Sequence, residues 1–386
     1  MKFVNWAVVS VALALCACSK LTTSSSASAV DYQSLYPNFY AAFASKIDLS
    51  SPPNYASQAI PSYITKDNSG ANRITNEAAI LGRVLFYDRN LSSTNTVSCS
   101  SCHLQSRAFG DSLSTSAGVN GATARHAMRL SNARFGTETK FFWDERAATL
   151  EAQTTQPIQN HTEMGFSGAN GDQGIADLIV KLKAIPYYTD LFKLAFGSSD
   201  ITEARMQTAL SSFVRSIQSF DSKYDRGRAL ANDNQNFSNF TTEENLGKLL
   251  FLNPPNGGGA GCAGCHRPPE FDILPSSLNN GITGTIGSAA LDLTVTRSPS
   301  LRDVVDTSGV LNGNLMHDAS LSSLDAVVEH YNSGIQLNAN LDNRLKPGGT
   351  AQRLNLTTTQ KAQLVAFLKT LSGTAVYTDS RWSSPF

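Results

Sequence analysis

A chain of 386 residues, 41% hydrophobic and 16% charged, is long enough for two domains with separate cores and has the composition of an ordinary globular protein. Lys plus Arg and Asp plus Glu are both 31, so no global field draws the chain to nucleic acid or to an anionic membrane, and no nucleic-acid partner is expected. The one long apolar run, Phe3 to Ala17 behind Lys2, is too short to span a bilayer as a helix and no stop-transfer pattern follows it; it reads as an export signal.

Leu15-Cys16-Ala17-Cys18 resembles a bacterial lipobox, with Leu three residues before Cys18 and a small residue just before it; Cys16 at the second position is a departure. On this reading residues 1–17 are a lipoprotein signal peptide and Cys18 is the lipid-bearing first mature residue. The protein would then be periplasmic and lipid-anchored, at the outer membrane because Ser19 and not Asp follows. A plain signal cleaved elsewhere is the alternative. Thr22 to Ala29 is an uncharged Ser/Thr/Ala stretch, and residues 18–50 are expected to be a flexible tether.

The other four cysteines fall in two identical patterns, Cys99-Ser100-Ser101-Cys102-His103 and Cys262-Ala263-Gly264-Cys265-His266. Each is C-x-x-C-H, the c-type heme attachment sequence: two thiols reach the two vinyl groups of one porphyrin, and the next imidazole swings under the iron. One such pentapeptide also suits a thiol redox pair or half a zinc site. Two in one exported chain point to two covalently bound heme c groups, with no cysteine left for a disulfide. The flanks match as well. Leu81-Gly82-Arg83-Val84-Leu85-Phe86 precedes the first pattern and Leu246-Gly247-Lys248-Leu249-Leu250-Phe251 the second, while Phe109 and Phe271 follow the two histidines. This is a weak internal repeat of a heme-binding unit.

Apolar spacing predicts helices over Asn76–Tyr87 and Thr241–Leu252 before each heme, the second with a Thr241/Glu244 capping box. Further helices are expected over Ile175–Leu182, Glu203–Phe220, Leu324–Tyr331 and Thr358–Leu371. Strand-like alternation is scarce. The expected fold is mainly α, two cytochrome c-like heme domains with extensive loops, divided as 51–235 and 236–386.

Taken together, these residues resemble the bacterial diheme cytochrome c peroxidase family, which includes the MauG branch. The resemblance runs from about Ile80 to Gly373. It rests on Leu81 to Asp88 before a C-x-x-C-H, Phe141-Phe142-Trp143-Asp144-Glu145-Arg146-Ala147, Pro157-Ile158-Gln159-Asn160 running into Glu163-Met164-Gly165, Pro299-Ser300-Leu301-Arg302 and His317-Asp318. It implies that the heme on His103 binds hydrogen peroxide and that the heme on His266 receives electrons, from a small cytochrome c or cupredoxin. Glu163 matches the family's distal acid, which moves a proton between the two peroxide oxygens. Trp143 matches the indole between the hemes, and Gln153 and Pro157 match the pocket wall. Without the resemblance, Glu163 reads as a surface or helix-starting acid and Trp143 as a core aromatic.

Three departures matter. Peroxidases that need reductive activation carry a Gly-His-Gly loop whose His caps the first iron; Ala117-Gly118-Val119-Asn120-Gly121 has no His, so the first heme is expected to be open. His126 could fold back as a ligand, but it stands where the family has an Asn that helps bind calcium between the domains, which puts that ion in doubt. His161, two residues before Glu163, stands where the family has Pro and reads as a pocket or solvent-facing residue. The sixth ligand of the second heme is Met in the peroxidases and Tyr in the MauG branch. Tyr331 holds the position, with His330 and Met316 as alternatives, and His317 is read as a partner of a heme propionate. The leading expectation is a peroxidase. A MauG-like oxidase of a protein or small molecule comes second and a non-catalytic electron carrier third; whether two copies form a homodimer is left open.

Overall fold

The computed structural model describes residues 1–2, 30–70, 72–137, 140–273, 275 and 277–386, so the export signal, Cys16, Cys18 and the Ser/Thr/Ala stretch lie outside the described residues. Tyr32–Phe386 form one unit, and Met1–Asp31 group apart from it. Among the described residues no helix is long and apolar enough to cross a membrane.

Helical structure starts earlier than the tether reading allowed. Tyr32–Leu35 (α1) and Pro37–Phe43 (α2) are helices, and Phe39, Phe43, Ile47 and Leu49 are buried. Tyr36 offers α2 no side-chain cap. Instead Asp190 Oδ2 accepts the amides of Asn38 (2.7 Å) and Phe39 (3.0 Å) from across the fold. The tether over 18–50 is therefore corrected: from Tyr32 onward the chain is anchored to the core.

The next helices are Asn76–Tyr87 (α3), Cys99–Cys102 (α4), Leu150–Thr154 (α5), Ile175–Lys183 (α6), Pro186–Phe196 (α7) and Glu203–Ser216 (α8). A short ribbon, Ala117–Gly118 (β1) with Gly121–Ala122 (β2), lies between α4 and α5. The second half holds Lys223–Arg228 (α9), Thr242–Leu252 (α10), the ribbon His266–Arg267 (β3) with Asp272–Ile273 (β4), Leu324–Glu329 (α11) and Thr358–Lys369 (α12). The chain is helix-rich, with little sheet. α8 stops short of the expected Phe220 because Ile217 is extended and Asn132 clasps that stretch, bonding the Ile217 and Ser219 carbonyls and the Ser219 amide. α11 ends in a π-turn, His330–Gly334, instead of running on as α-helix; such turns often mark functional positions.

Buried apolar side chains sort into two cores. The first runs from Phe39 to Ile217 and takes in Val376 and Trp382 from the C-terminal tail; the second runs from Tyr224 to Leu371. The changeover lies before the expected 235/236 division, so α9 belongs with the second core.

The sequence repeat is a structural one. Thr75 caps α3 by accepting the Ala78 amide, and Thr241 and Glu244 form the expected capping box on α10. Gly82 lies where α3 meets α8, and a Cβ there would run into the Ala209 carbonyl. Gly247 lies where α10 meets α12, facing the Gln363 carbonyl in the same way. Both crossings need a residue with no side chain. The repeat also covers two loops that were not paired in the sequence. Phe141 bridges to Ala147 and Leu315 to Leu321. Both loops have left-handed residues at matching places, Phe142 (φ 71°) and Glu145 (φ 55°) against Met316 (φ 72°) and Ala319 (φ 55°). Trp143 and His317 are thus equivalent, and Thr149 and Ser323, six residues on from each, cap α5 and α11. Fourteen residues on from each lie Pro157 and Tyr331.

Candidate heme sites

Each C-x-x-C-H segment opens onto its own cavity. The first cavity, about 600 Å³, is lined by Cys99, Cys102, His103, Trp143, Gln153, Pro157 and Glu163, so every residue expected at the first heme meets in one place. The second, about 160 Å³, is lined by Cys262, Cys265, His266, Met316, His317 and Tyr331. Trp143, Arg129 and Arg297 line both.

The donor chemistry fits heme better than the alternatives. A thiol redox pair needs a stabilised thiolate, yet burial pushes Cys99 and Cys262 up to about 12, and among the described residues no group of three or more His, Cys, Asp or Glu side chains is placed to hold a zinc ion. Burial also holds His103 below the usual imidazole range and His266 down at about 4, so both rings are neutral and able to coordinate. Ala108 and Phe109 are left-handed (φ 52° and 61°) and turn the Phe109 carbonyl to within 3.1 Å of His103 Nδ1. That bond places the proton on Nδ1 and leaves Nε2 as the ligating nitrogen.

Glu163 is set by backbone contacts that do not involve its carboxyl. Asn160 Oδ1 accepts the amides of Thr162 (2.9 Å) and Glu163 (3.0 Å), and the Val119 amide reaches the Glu163 carbonyl at 3.1 Å. Gly118 allows the β1–β2 ribbon to lie this close, because a Cβ there would strike the Thr162 carbonyl. The ribbon that lacks the capping His therefore buttresses the acid instead. Burial raises the Glu163 carboxyl above the ordinary carboxylate range, opposed by the Arg146 charge. His161 turns away to Asp172 Oδ2 (2.8 Å) and is not part of the cavity wall.

Trp143 is fixed on several sides. Its Nε1 donates to the His126 carbonyl at 2.8 Å, and its own carbonyl accepts the Thr296 and Arg297 amides at 3.0 and 3.1 Å. The ring meets His317 edge to face at 6.2 Å. Arg125 ties the same loop down, bonding Asp144, Asp292 and Thr294. An indole between two cavities, in ring contact with a wall residue of the second, is well placed to pass electrons.

In the second cavity Asn280 Nδ2 lies 3.3 Å from Tyr331 Oη and 3.4 Å from Met316 Sδ, so both candidate ligands face the same space. His330 does not. Its Nε2 is bonded to the Asn280 carbonyl at 3.0 Å and it is absent from the cavity wall, which removes it as the sixth ligand. The π-turn sets this choice, turning Tyr331 inward and its neighbour away. His317 directs Nε2 to the Gly284 carbonyl at 2.9 Å. His126 bonds the Leu113 carbonyl through Nδ1 at 2.9 Å, and an imidazole is a poor calcium donor.

Arg129 and Arg297 were not singled out in the sequence. Two guanidiniums shared by adjoining cavities suit the propionates of two porphyrins. Only a fold that brings residues 129 and 297 together could have revealed them. Arg302, in the late Pro-Ser-Leu-Arg motif, instead forms a fully buried ion pair with Asp225 at 2.7 Å.

Comparison with known proteins agrees with this geometry. Residues 76–235 match the family model for di-haem cytochrome c peroxidase. The chain is 35% identical over 312 residues to the methylamine utilization protein MauG of Methylorubrum extorquens, covering 78% of this chain and 80% of that one. It is 29% identical over 318 residues to the cytochrome c551 peroxidase of Nitrosomonas europaea, covering 77% and 80%. Among solved structures, a MauG-like protein associated with microbial copper homeostasis superposes with a TM-score of 0.66 at 31% identity, over 85% of this chain and 99% of that one. With both heme motifs in place and this similarity over most of its length, the chain belongs to the diheme cytochrome c peroxidase and MauG family of oxidoreductases.

Proposed function

We propose that the chain carries two covalently attached c-type hemes, held by Cys99, Cys102 and His103 and by Cys262, Cys265 and His266, and that it is a peroxide-driven oxidase of the MauG type. The carrying observation is Tyr331, whose hydroxyl faces the second cavity at the repeat position that Pro157 holds in the first. A phenolate ligand favours the oxidised metal, and so suits a site that stores oxidising power over one that only relays electrons. When bound, the hemes supply peroxide reduction and electron storage. The protein's part is to position and to move protons. Glu163 Oε takes a proton from the near oxygen of peroxide and returns it to the far one as the bond breaks. Pro157, whose ring offers no donor atom to iron, and Gln153 would wall the pocket that holds the peroxide, and Trp143 connects the two cavities.

Met316 favours a second reading, because its thioether shares the second cavity and the Asn280 amide. A Met ligand would suit a peroxidase that reduces hydrogen peroxide with electrons from a small cytochrome c or cupredoxin. Glu163 argues against a non-catalytic carrier. Export and a lipid on Cys18 would place either chemistry in the periplasm, at the outer membrane. The two enzymatic readings part when the oxidised holoprotein receives one equivalent of hydrogen peroxide with no donor present. The oxidase reading expects optical changes at both hemes that persist until an oxidisable partner is added. A change at the first heme alone, with rapid turnover of a reduced cytochrome, would overturn it in favour of the peroxidase.

A further inference from the structure

The first cavity has a second group of oxidisable side chains behind it, separate from Trp143. Phe86, on the cavity wall, is followed two residues later by Asp88, which is 3% exposed. Asp88 Oδ2 accepts hydrogen bonds from the hydroxyls of both Tyr187 and Tyr188, each at 2.7 Å, and Oδ1 accepts from the Asn90 amide and side chain, each at 2.8 Å. The two tyrosine rings lie 4.8 Å apart. Tyr188 is fully buried, packs in the core against which Cys99 rests, and is close enough to the Cys99 thiol to interact with it electrostatically.

Other tyrosines with hydroxyl partners are placed differently. Tyr55, Tyr87 and Tyr377 donate to backbone carbonyls, which cannot hold a proton. Tyr63 and Tyr224 donate to Asp225 and Asp233, whose charges are already met by Arg302 and Arg228. Among the described residues Asp88 makes no ion pair. It is a buried carboxylate held by two phenols, so the proton either phenol would give up has an acceptor already in contact.

We propose that Tyr187, Tyr188 and Asp88 form a proton-coupled electron-donor site that takes oxidising equivalents off the first heme when no electrons arrive through Trp143. The inference rests on the peroxide reading of the first cavity. Tyr188 gives one electron to the first heme after peroxide has oxidised it and passes its hydroxyl proton to Asp88 Oδ2. This leaves a neutral phenoxyl radical beside a neutral carboxylic acid. Re-reduction returns the electron to the ring and the proton from Asp88 to the phenol oxygen. Tyr187, on the same carboxylate oxygen, can take over the radical by giving an electron to the Tyr188 radical and its hydroxyl proton to Asp88 as Asp88 returns the first proton to Tyr188. A surface groove lined by Tyr87, Asp88, Arg89 and Phe386 opens onto Asp88 and gives a small reductant access.

The test mixes the oxidised holoprotein with excess hydrogen peroxide and no donor, once with freeze-quenching for electron paramagnetic resonance and once with a nitroso spin trap. The trapped sample is digested with trypsin and mapped by mass spectrometry. A tyrosyl signal in the wild type, an adduct on the peptide Ala184–Lys193, and loss of both in the Tyr187→Phe/Tyr188→Phe double variant are the expected results. The wild-type adduct map carries the test should the double variant not fold. Adducts only on other peptides, or a tyrosyl signal that survives in the double variant, overturn the proposal. If the first heme's optical band responds to peroxide but no tyrosyl radical forms, this inference alone falls; if the band does not respond, the peroxide reading falls with it.

Discussion

Replacing Glu163 by Gln isolates the proton-transfer step, because the backbone around it is held by contacts the carboxyl does not make. Asn160, Val119 and the ribbon at Gly118 stay in place, and Gln keeps the size and half-buried position of the side chain. Only the capacity to take a proton is lost. Positioned acid–base groups contribute about 10²- to 10⁴-fold in rate, or about 2.7 to 5.4 kcal/mol of barrier. Stopped-flow reaction of peroxide with the first heme should slow by that range while heme content is unchanged. Burial raises the Glu163 carboxyl above 4.5, so its contribution to stability is full below the unfolded value and is lost as pH rises through the raised one. The Gln variant lacks that loss and should melt no lower than wild type at neutral pH. Wild-type rates should fall as pH drops through the raised value and the base is protonated; the variant should show no such limb. A variant reacting within a few-fold of wild type, with the same pH limb, would refute the role given to Glu163.

Trp143→Phe keeps an aromatic against His317 but loses the bond to the His126 carbonyl; peroxide should react at the first heme as before while electron transfer between hemes slows several-fold or more, read by the lag at the second heme. Tyr331→Phe should change the second heme's spectrum, whereas Met316→Leu and His330→Gln should leave it unaltered; the reverse result for Met316 would support the peroxidase reading. Gly247→Ala should destabilise the protein by about 1–3 kcal/mol through overpacking against the Gln363 carbonyl, seen as a lower melting temperature of the holoprotein. Gly118→Ala should leave both hemes bound and slow peroxide turnover, because the added methyl pushes the ribbon away from Glu163.

Covalent chemistry was the most legible part of the site. C-x-x-C-H is a contiguous signal, and so are the Leu-Gly-x-x-Leu-Phe segments that build α3 and α10. Glu163, Gln153 and Pro157 were reached through resemblance, and the fold brings all three to the first cavity. What stayed hidden depends on distant partners. α2 escaped notice because its cap is Asp190, far away in α7. α7 does carry local signals, Pro186 at its first turn and left-handed Gly197 (φ 75°) after its end. His330 and Tyr331 could not be separated by spacing, since a π-turn decides which of two neighbours faces inward. The equivalence of Trp143 and His317 is carried by backbone conformation, which their unlike side chains conceal.

The central claim is an open first heme served by Glu163 beside a capped second heme. Electron paramagnetic resonance of the oxidised holoprotein, before and after hydrogen peroxide, tests it most directly. One high-spin and one low-spin ferric signal, the high-spin one lost on adding peroxide, is the predicted result. Two low-spin signals that do not respond to peroxide would contradict it, because both irons would then be capped.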